Sequence, residues 1–163
     1  MNIVLSGMPA SGKTTVSKAL EKLGKKVYDT DGEIVKEHGE ITRIFADHGE
    51  EYFRNLESKT VEKLSALDGV VIATGGGCLL RQNNVALLKR SGKIVYLRAR
   101  IETLLKRVEG DTTRPLLQGG AEEKIKKLYK ERTPVYERAA DIIIDTDGLS
   151  PEEIAQRITE LTK

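Results

Sequence analysis

Eight residues near the amino terminus, Gly7-Met8-Pro9-Ala10-Ser11-Gly12-Lys13-Thr14, constrain this chain more than any other stretch. They match G-x-x-x-x-G-K-[ST] in full, between the strand-like Asn2-Ile3-Val4-Leu5-Ser6 and a run with helical spacing. Strand, glycine-rich loop and helix, in that order, make a cradle for phosphate. The glycines let the backbone curl so that several N–H groups point at one anion. The following helix adds the positive end of its dipole. Lys13 is placed to reach the β- and γ-phosphates of a nucleoside triphosphate, and the Thr14 hydroxyl to ligate Mg²⁺. The loop does not identify the acceptor, because motors, GTPases and kinases share it.

The rest of the chain has the rhythm such a loop requires. Lys26-Val27-Tyr28, Val70-Val71-Ile72-Ala73, Ile94-Val95-Tyr96-Leu97 and Ile142-Ile143-Ile144 are short apolar runs without alternation. Such runs suit strands covered on both faces. Between them, Val16, Ala19, Leu20 and Leu23 fall on one helical face, and so do Phe53, Leu56, Thr60, Leu64 and Leu67. Strands alternating with helices imply an α/β fold with a mainly parallel sheet. Ser150-Pro151-Glu152-Glu153 reads as a capped helix start, with Ile154, Ile158 and Leu161 on the buried face beyond it. The length of 163 residues suits a single domain over 1–163.

Composition narrows the function by exclusion. With 27 Lys and Arg against 25 Asp and Glu, the charge balance gives no support for a nucleic-acid or membrane partner. The lone Cys78 makes no internal disulfide, and with two histidines there is no Cys/His zinc pattern. No apolar run approaches the ~20 residues of a membrane span, and the opening residues carry no secretory signal. The expectation is a soluble cytoplasmic protein.

Three further features carry chemistry. Asp29-Thr30-Asp31 follows the second strand, at the end where ligands bind in an open α/β sheet. On strand alternation the two carboxylates point the same way. One is then suited to the water shell of Mg²⁺ and the other to the attacking hydroxyl; alternatively Asp31 caps a helix beginning near Glu33. Gly75-Gly76-Gly77 follows the third strand, and three glycines in a row favour close approach by a ligand over a plain tight turn. Residues 98–138 hold 11 Lys and Arg against 7 Asp and Glu around the loose stretch Gly110 to Gly120. That surplus suits a lid closing over triphosphate. Arg54, Arg114 and Arg132, each taken singly, read as surface residues.

Taken together, the motifs resemble shikimate kinase of the bacterial and plant type, a P-loop family like the nucleoside monophosphate kinases, over essentially the whole length. The features are the N-terminal phosphate loop, Asp29-Thr30-Asp31, Ile44-Phe45 through Gly49-Glu50 to Phe53-Arg54 and Glu57, Gly75-Gly76-Gly77, Thr113-Arg114-Pro115-Leu116-Leu117, and Arg132-Thr133-Pro134-Val135-Tyr136. The resemblance implies a three-layer α/β/α sandwich with a five-stranded parallel sheet, a substrate-binding segment at about 31–60 and a lid at about 110–121. It implies transfer of the γ-phosphate of ATP to the 3-hydroxyl of shikimate, with Mg²⁺, in the route to chorismate and the aromatic amino acids. ATP contacts fall on Ala10, Ser11, Gly12, Lys13, Thr14, Thr15, Arg107 over the adenine, and Arg114 on the lid. Shikimate contacts fall on Asp31, Arg54, Gly75, Gly76, Gly77 and Arg132, with the two arginines clamping the carboxylate. Lys13, Asp31 and Arg114 carry the chemistry, and Thr14 with Asp29, through water, holds the metal. The partners implied are ATP and shikimate alone, on a monomer.

The chain departs from the family pattern in two places. Ala10 stands where a glycine is common, which fits if that position avoids positive φ. Asp145-Thr146-Asp147-Gly148-Leu149 replaces a loop that often carries a polar or basic side chain near adenine, so adenine contacts there are expected from backbone. Cys78 is read as a packed residue, His38 and His48 as surface or packing residues, and Tyr52, Tyr96, Tyr129 and Tyr136 as packed rings with exposed hydroxyls. The rival readings are another small-metabolite or nucleotide kinase of the same fold, or a non-catalytic ATP-binding regulatory module.

Overall fold

The computed structural model describes residues 1–109 and 120–163. Five strands form one parallel sheet: β1 (Asn2–Ser6), β2 (Val27–Asp29), β3 (Val71–Ala73), β4 (Gly92–Arg98) and β5 (Ile142–Asp145), in the order β2-β3-β1-β4-β5. β1 pairs with β3 (Ile3 beside Val71) and with β4 (Val4 beside Ile94). The phosphate loop therefore leaves the central strand. The expected five-stranded α/β sheet is present, with each short apolar run in a strand.

Strand alternation divides the core into two layers. Ile3, Leu5, Val71, Val95, Leu97 and Ile144 face α1 (Lys13–Lys22) and α8 (Pro151–Leu161), meeting Val16, Leu20, Ile154 and Ile158. Val4, Ile72, Ile94 and Tyr96 face the other way. They meet α4 (Glu50–Ser65), α5 (Gln82–Ser91), α6 (Ile101–Glu109) and α7 (Ala121–Ala139) through Val61, Leu88, Leu104 and Ile125. A smaller cluster of Ile34, Ile44, Phe53 and Leu56 joins α2 (Thr30–His38), α3 (Ile41–His48) and α4 beside the free edge of β2. The start of α8 is as the sequence indicates: Ser150 and Glu153 form a reciprocal capping box with Pro151 in the first turn.

Several expectations need correction. Leu23 and Leu161 are 55% and 51% exposed, and Leu67 is exposed as well. Leu23 and Leu67 lie just past the ends of their helices, and Leu161 is the last residue of α8, so the helical face does not extend to them. Asp29 and Asp31 do not share one strand face. β2 ends at Asp29, the helix begins at Thr30, and the cap is Asp29 rather than Asp31. Asp29 Oδ1 accepts from the N–H of Asp31 at 2.9 Å and of Gly32 at 3.2 Å. Tyr96 and Tyr136 are each only 1% exposed as whole residues, whereas Tyr52 is exposed and stacks on the exposed His48. Cys78 is buried as expected.

Candidate active site

Because the strands are parallel, the loops after β1, β2 and β3 open on the same edge of the sheet, where ligands bind in such folds. A cavity of about 1070 Å³ lies there. The phosphate loop, Asp29, Asp31, Arg54, Gly75 to Gly77, Arg107 and Arg132 all line it.

The phosphate loop is a tight backbone coil. Ser11 N–H donates to Met8 O at 3.1 Å, and Thr15 Oγ1 donates to Gly12 O at 3.0 Å. Lys13 Nζ reaches back over the loop to the carbonyls of Gly7 at 2.5 Å and Met8 at 3.1 Å. Thr14 is exposed to the cavity at the start of α1. Ala10 has φ 68°, so the condition under which alanine was expected to fit is not met. The left-handed conformation costs a non-glycine residue about 1–2 kcal/mol. Arg107 Nη1 donates to the Ala10 carbonyl at 2.8 Å and ties this strained residue to α6. Arg107 is thus placed at the loop's outer rim. Thr146 and Leu149, after β5, line the same cavity. Arg114 and the expected lid at about 110–121, apart from its last two residues Gly120 and Ala121, lie outside the described residues.

The opposite wall is assembled from three separate segments around the glycine triplet. A Cβ on Gly75 would lie 2.6 Å from Asp31 Oδ1, one on Gly76 2.6 Å from Arg132 Nη1, and one on Gly77 2.5 Å from both terminal nitrogens of Arg54. Each glycine is therefore required by a different charged side chain. The triplet is a flat floor on which one carboxylate and two guanidinium groups sit, which goes further than the open N–H groups the sequence suggested. Asp31 stands in the first turn of α2. Burial pushes its carboxyl above the ordinary value, and Asp29 pushes the same way, while Lys13 and Arg54 pull it down.

Arg54 brings with it a residue to which the sequence gave no role. Its Nη1 donates to Glu57 Oε1 at 3.0 Å, one turn along α4, and Nη2 lies 3.5 Å from Glu50. Glu57 is 1% exposed, and its Oε2 has no hydrogen-bond partner among the described residues. Burial outweighs the attraction of Arg54 and raises the Glu57 carboxyl above its ordinary value. A signal was available: Glu57 lies four residues after Phe53 and four before Val61, on the apolar face of an amphipathic helix. A carboxylate there needs a cation to answer it.

The family model described as shikimate kinase matches residues 9–163. The shikimate kinase of Caldicellulosiruptor bescii is 46% identical over 163 residues, covering 98% of this chain and 94% of the relative. The chain belongs to the shikimate kinase family. Another shikimate kinase, from Caldicellulosiruptor saccharolyticus, is 45% identical over 98% of this chain and 94% of its own. A solved structure of shikimate kinase from Acinetobacter baumannii, in complex with shikimate, matches with a TM-score of 0.89 at 39% identity, covering 98% of this chain and 91% of that one. The sheet order described above is thus that of a shikimate kinase family member. No helix among its described residues is long and apolar enough to cross a membrane.

Proposed function

We propose that this chain, acting as one kinase domain over 1–163, transfers the γ-phosphate of ATP to the 3-hydroxyl of shikimate. The observation that carries this is the convergence of Asp31, Arg54 and Arg132 on the glycine triplet, in the same cavity as the phosphate loop. A carboxylated triol needs a cationic clamp for its acid and an acceptor for the reacting hydroxyl. Arg54 and Arg132 supply the clamp, and Asp31 supplies the acceptor.

Phosphoryl transfer needs positioning and charge stabilisation more than covalent help from the protein. Asp31 accepts the hydrogen bond of the 3-hydroxyl, aims its oxygen at the γ-phosphorus and takes up its proton as the new bond forms. The new O–P bond forms as the bond from γ-phosphorus to the β,γ-bridging oxygen breaks, releasing ADP. Lys13 turns from the loop carbonyls to the β- and γ-phosphoryl oxygens, and the loop N–H groups hold the remaining charge. Arg107 borders the adenine end. Arg114, outside the described residues, is assigned to the phosphates on the family resemblance.

The donor set also fits Mg²⁺. Thr14, Asp29 and Asp31 present only oxygen to one cavity, and Asp29 Oδ2 is left over once Oδ1 has taken two backbone N–H groups. No cluster of three or more metal-ligating side chains is present among the described residues. This suits an ion that keeps most of its waters and borrows phosphate oxygens. Thr14 would ligate the ion directly and Asp29 through water. Bound there, the ion neutralises charge on the β- and γ-phosphoryl oxygens.

The test is ADP release with ATP and Mg²⁺, offering shikimate, quinate, gluconate and nucleoside monophosphates in parallel. Turnover with shikimate that collapses in Asp31→Ala is the expected result. Turnover with a different acceptor would discard the substrate assignment. ATP binding without turnover on any of them would favour the regulatory reading.

A further inference from the structure

Two hydroxyls hold the glycine triplet from opposite sides. Thr30 Oγ1, fully buried, accepts from Gly75 N–H at 2.9 Å. Tyr136 Oη donates to Gly76 O at 2.6 Å, from a helix 60 residues further along the chain. Tyr136 is 1% exposed, and its ring packs on Tyr96 with centroids 5.3 Å apart. The same helix carries Arg132 one turn earlier, with Nη1 at the place a Gly76 Cβ would claim. Helix α7 therefore grips Gly76 twice, through its carbonyl with Tyr136 and against its α-carbon with Arg132.

This grip fixes a direction as well as a position. No described peptide is cis, so the carbonyl of residue 76 and the N–H of residue 77 point opposite ways. Holding Gly76 O against Tyr136 therefore sets the heading of the Gly77 N–H. Neither Gly76 N–H nor Gly77 N–H donates to any group among the described residues, although Gly77 is buried and lines the cavity. An unpaired buried N–H is costly, and Gly77 lies on the cavity wall, so its N–H is left for an acceptor atom from a ligand.

We propose that Tyr136 is a positioning residue for the acceptor substrate: its hydroxyl sets the Gly76–Gly77 peptide so that the Gly77 N–H and the Arg132 guanidinium meet the substrate carboxylate together. The proposal rests on the reading of Arg54 and Arg132 as the carboxylate clamp. Burial pushes the Tyr136 phenol up to about 12, against the pull of Arg132, so the hydroxyl keeps its proton and stays a donor throughout the physiological range. Thr30 does the corresponding work at Gly75, next to Asp31, on the side of the reacting hydroxyl.

Tyr136→Phe removes the donor and keeps the ring. KM for shikimate is expected to rise about three- to tenfold, the worth of one neutral hydrogen bond. With a positioning role confined to the carboxylate, kcat and KM for ATP stay within about twofold of wild type. Tyr96→Phe, which deletes a hydroxyl from the same core without touching Gly76, should leave all three constants in place. An unchanged KM for shikimate would overturn the proposal. So would an equal rise in KM for ATP, or the same effect from Tyr96→Phe. Amide NMR of the ligand-free proteins separates this from the functional reading. The Gly76 and Gly77 signals should shift in Tyr136→Phe while those of Gly7 and Gly12 stay, and unmoved Gly76 and Gly77 signals would overturn the proposal whichever acceptor the enzyme takes.

Discussion

The two walls of the active-site cavity are built on different plans. The phosphate wall is eight consecutive residues whose work is done mostly by backbone, and it hangs from the central strand. The acceptor wall draws single side chains from α2, α4 and α7 and lays them on three glycines after β3. Backbone recognition tolerates changes of side chain that keep the coil. Side-chain recognition fails one residue at a time, and each failure has its own signature.

The largest effect separating the walls should come from Asp31→Asn. Loss of the acceptor for the hydroxyl proton should lower kcat by about 10²–10⁴-fold, with KM for ATP little changed. Stability should move the other way. The Asp31 carboxyl is raised in the folded protein, so above that folded pKa the fold carries the full cost of an ionised, buried group repelled by Asp29. That cost is relieved as pH falls toward the ordinary carboxylate value. Asn removes it, so Tm at neutral pH should rise, and the gain over wild type should shrink on acidification. A variant that is inactive and also less stable at neutral pH would break the assignment of Asp31 as an electrostatically strained group.

Arg54→Ala comes next. It removes the cation answering Glu57, which leaves a buried carboxylate unpaired at a cost of about 3–5 kcal/mol in urea unfolding at neutral pH. The deficit should narrow on acidification, because Glu57 is already raised by burial and takes up a proton more readily in the fold than in the unfolded chain. KM for shikimate should rise strongly. A deficit independent of pH would mean that Glu57 is not the residue left stranded.

Gly77→Ala tests the floor. Its Cβ must displace the Arg54 guanidinium, so KM for shikimate should rise about tenfold or more while ATP binding persists. Equal losses for both substrates would show that the walls are not independent. The smallest effect belongs to the phosphate wall. Ala10→Gly removes the left-handed strain, offset in part by the greater flexibility of glycine in the unfolded chain. A gain of about 1 kcal/mol or less in stability, with both KM values unchanged, is expected by thermal unfolding and steady-state assay.

The contrast also explains what the sequence made legible. The five strands and the phosphate loop could be read from short patterns, because their determinants are contiguous. The place of Asp31 after the second strand marks it as a candidate, but Arg54 and Arg132 cannot be told from surface charges by spacing alone, and only the family resemblance assigns them. Their meeting point depends on how three helices dock on the sheet, which no local pattern records. In the D-T-D segment, strand alternation and a helix cap fit the few residues equally well. The Asp29 side chain, bonding two N–H groups of the next turn, decides for the helix. Nothing in the local sequence marks the partner of the Tyr136 hydroxyl, because that partner is a backbone carbonyl 60 positions away. Glu57 was legible in principle, as a charge on an apolar helical face.

The glycine floor has a genetic consequence. Positions 75, 76 and 77 are each blocked by one identifiable side chain, at 31, 132 and 54 respectively. Tolerance of a methyl group at any one of them should therefore be conditional on the genotype at a single distant site. The three adjacent codons should show three separate epistatic partners, and a selection for suppressors of each alanine allele would map the acceptor pocket without a structure.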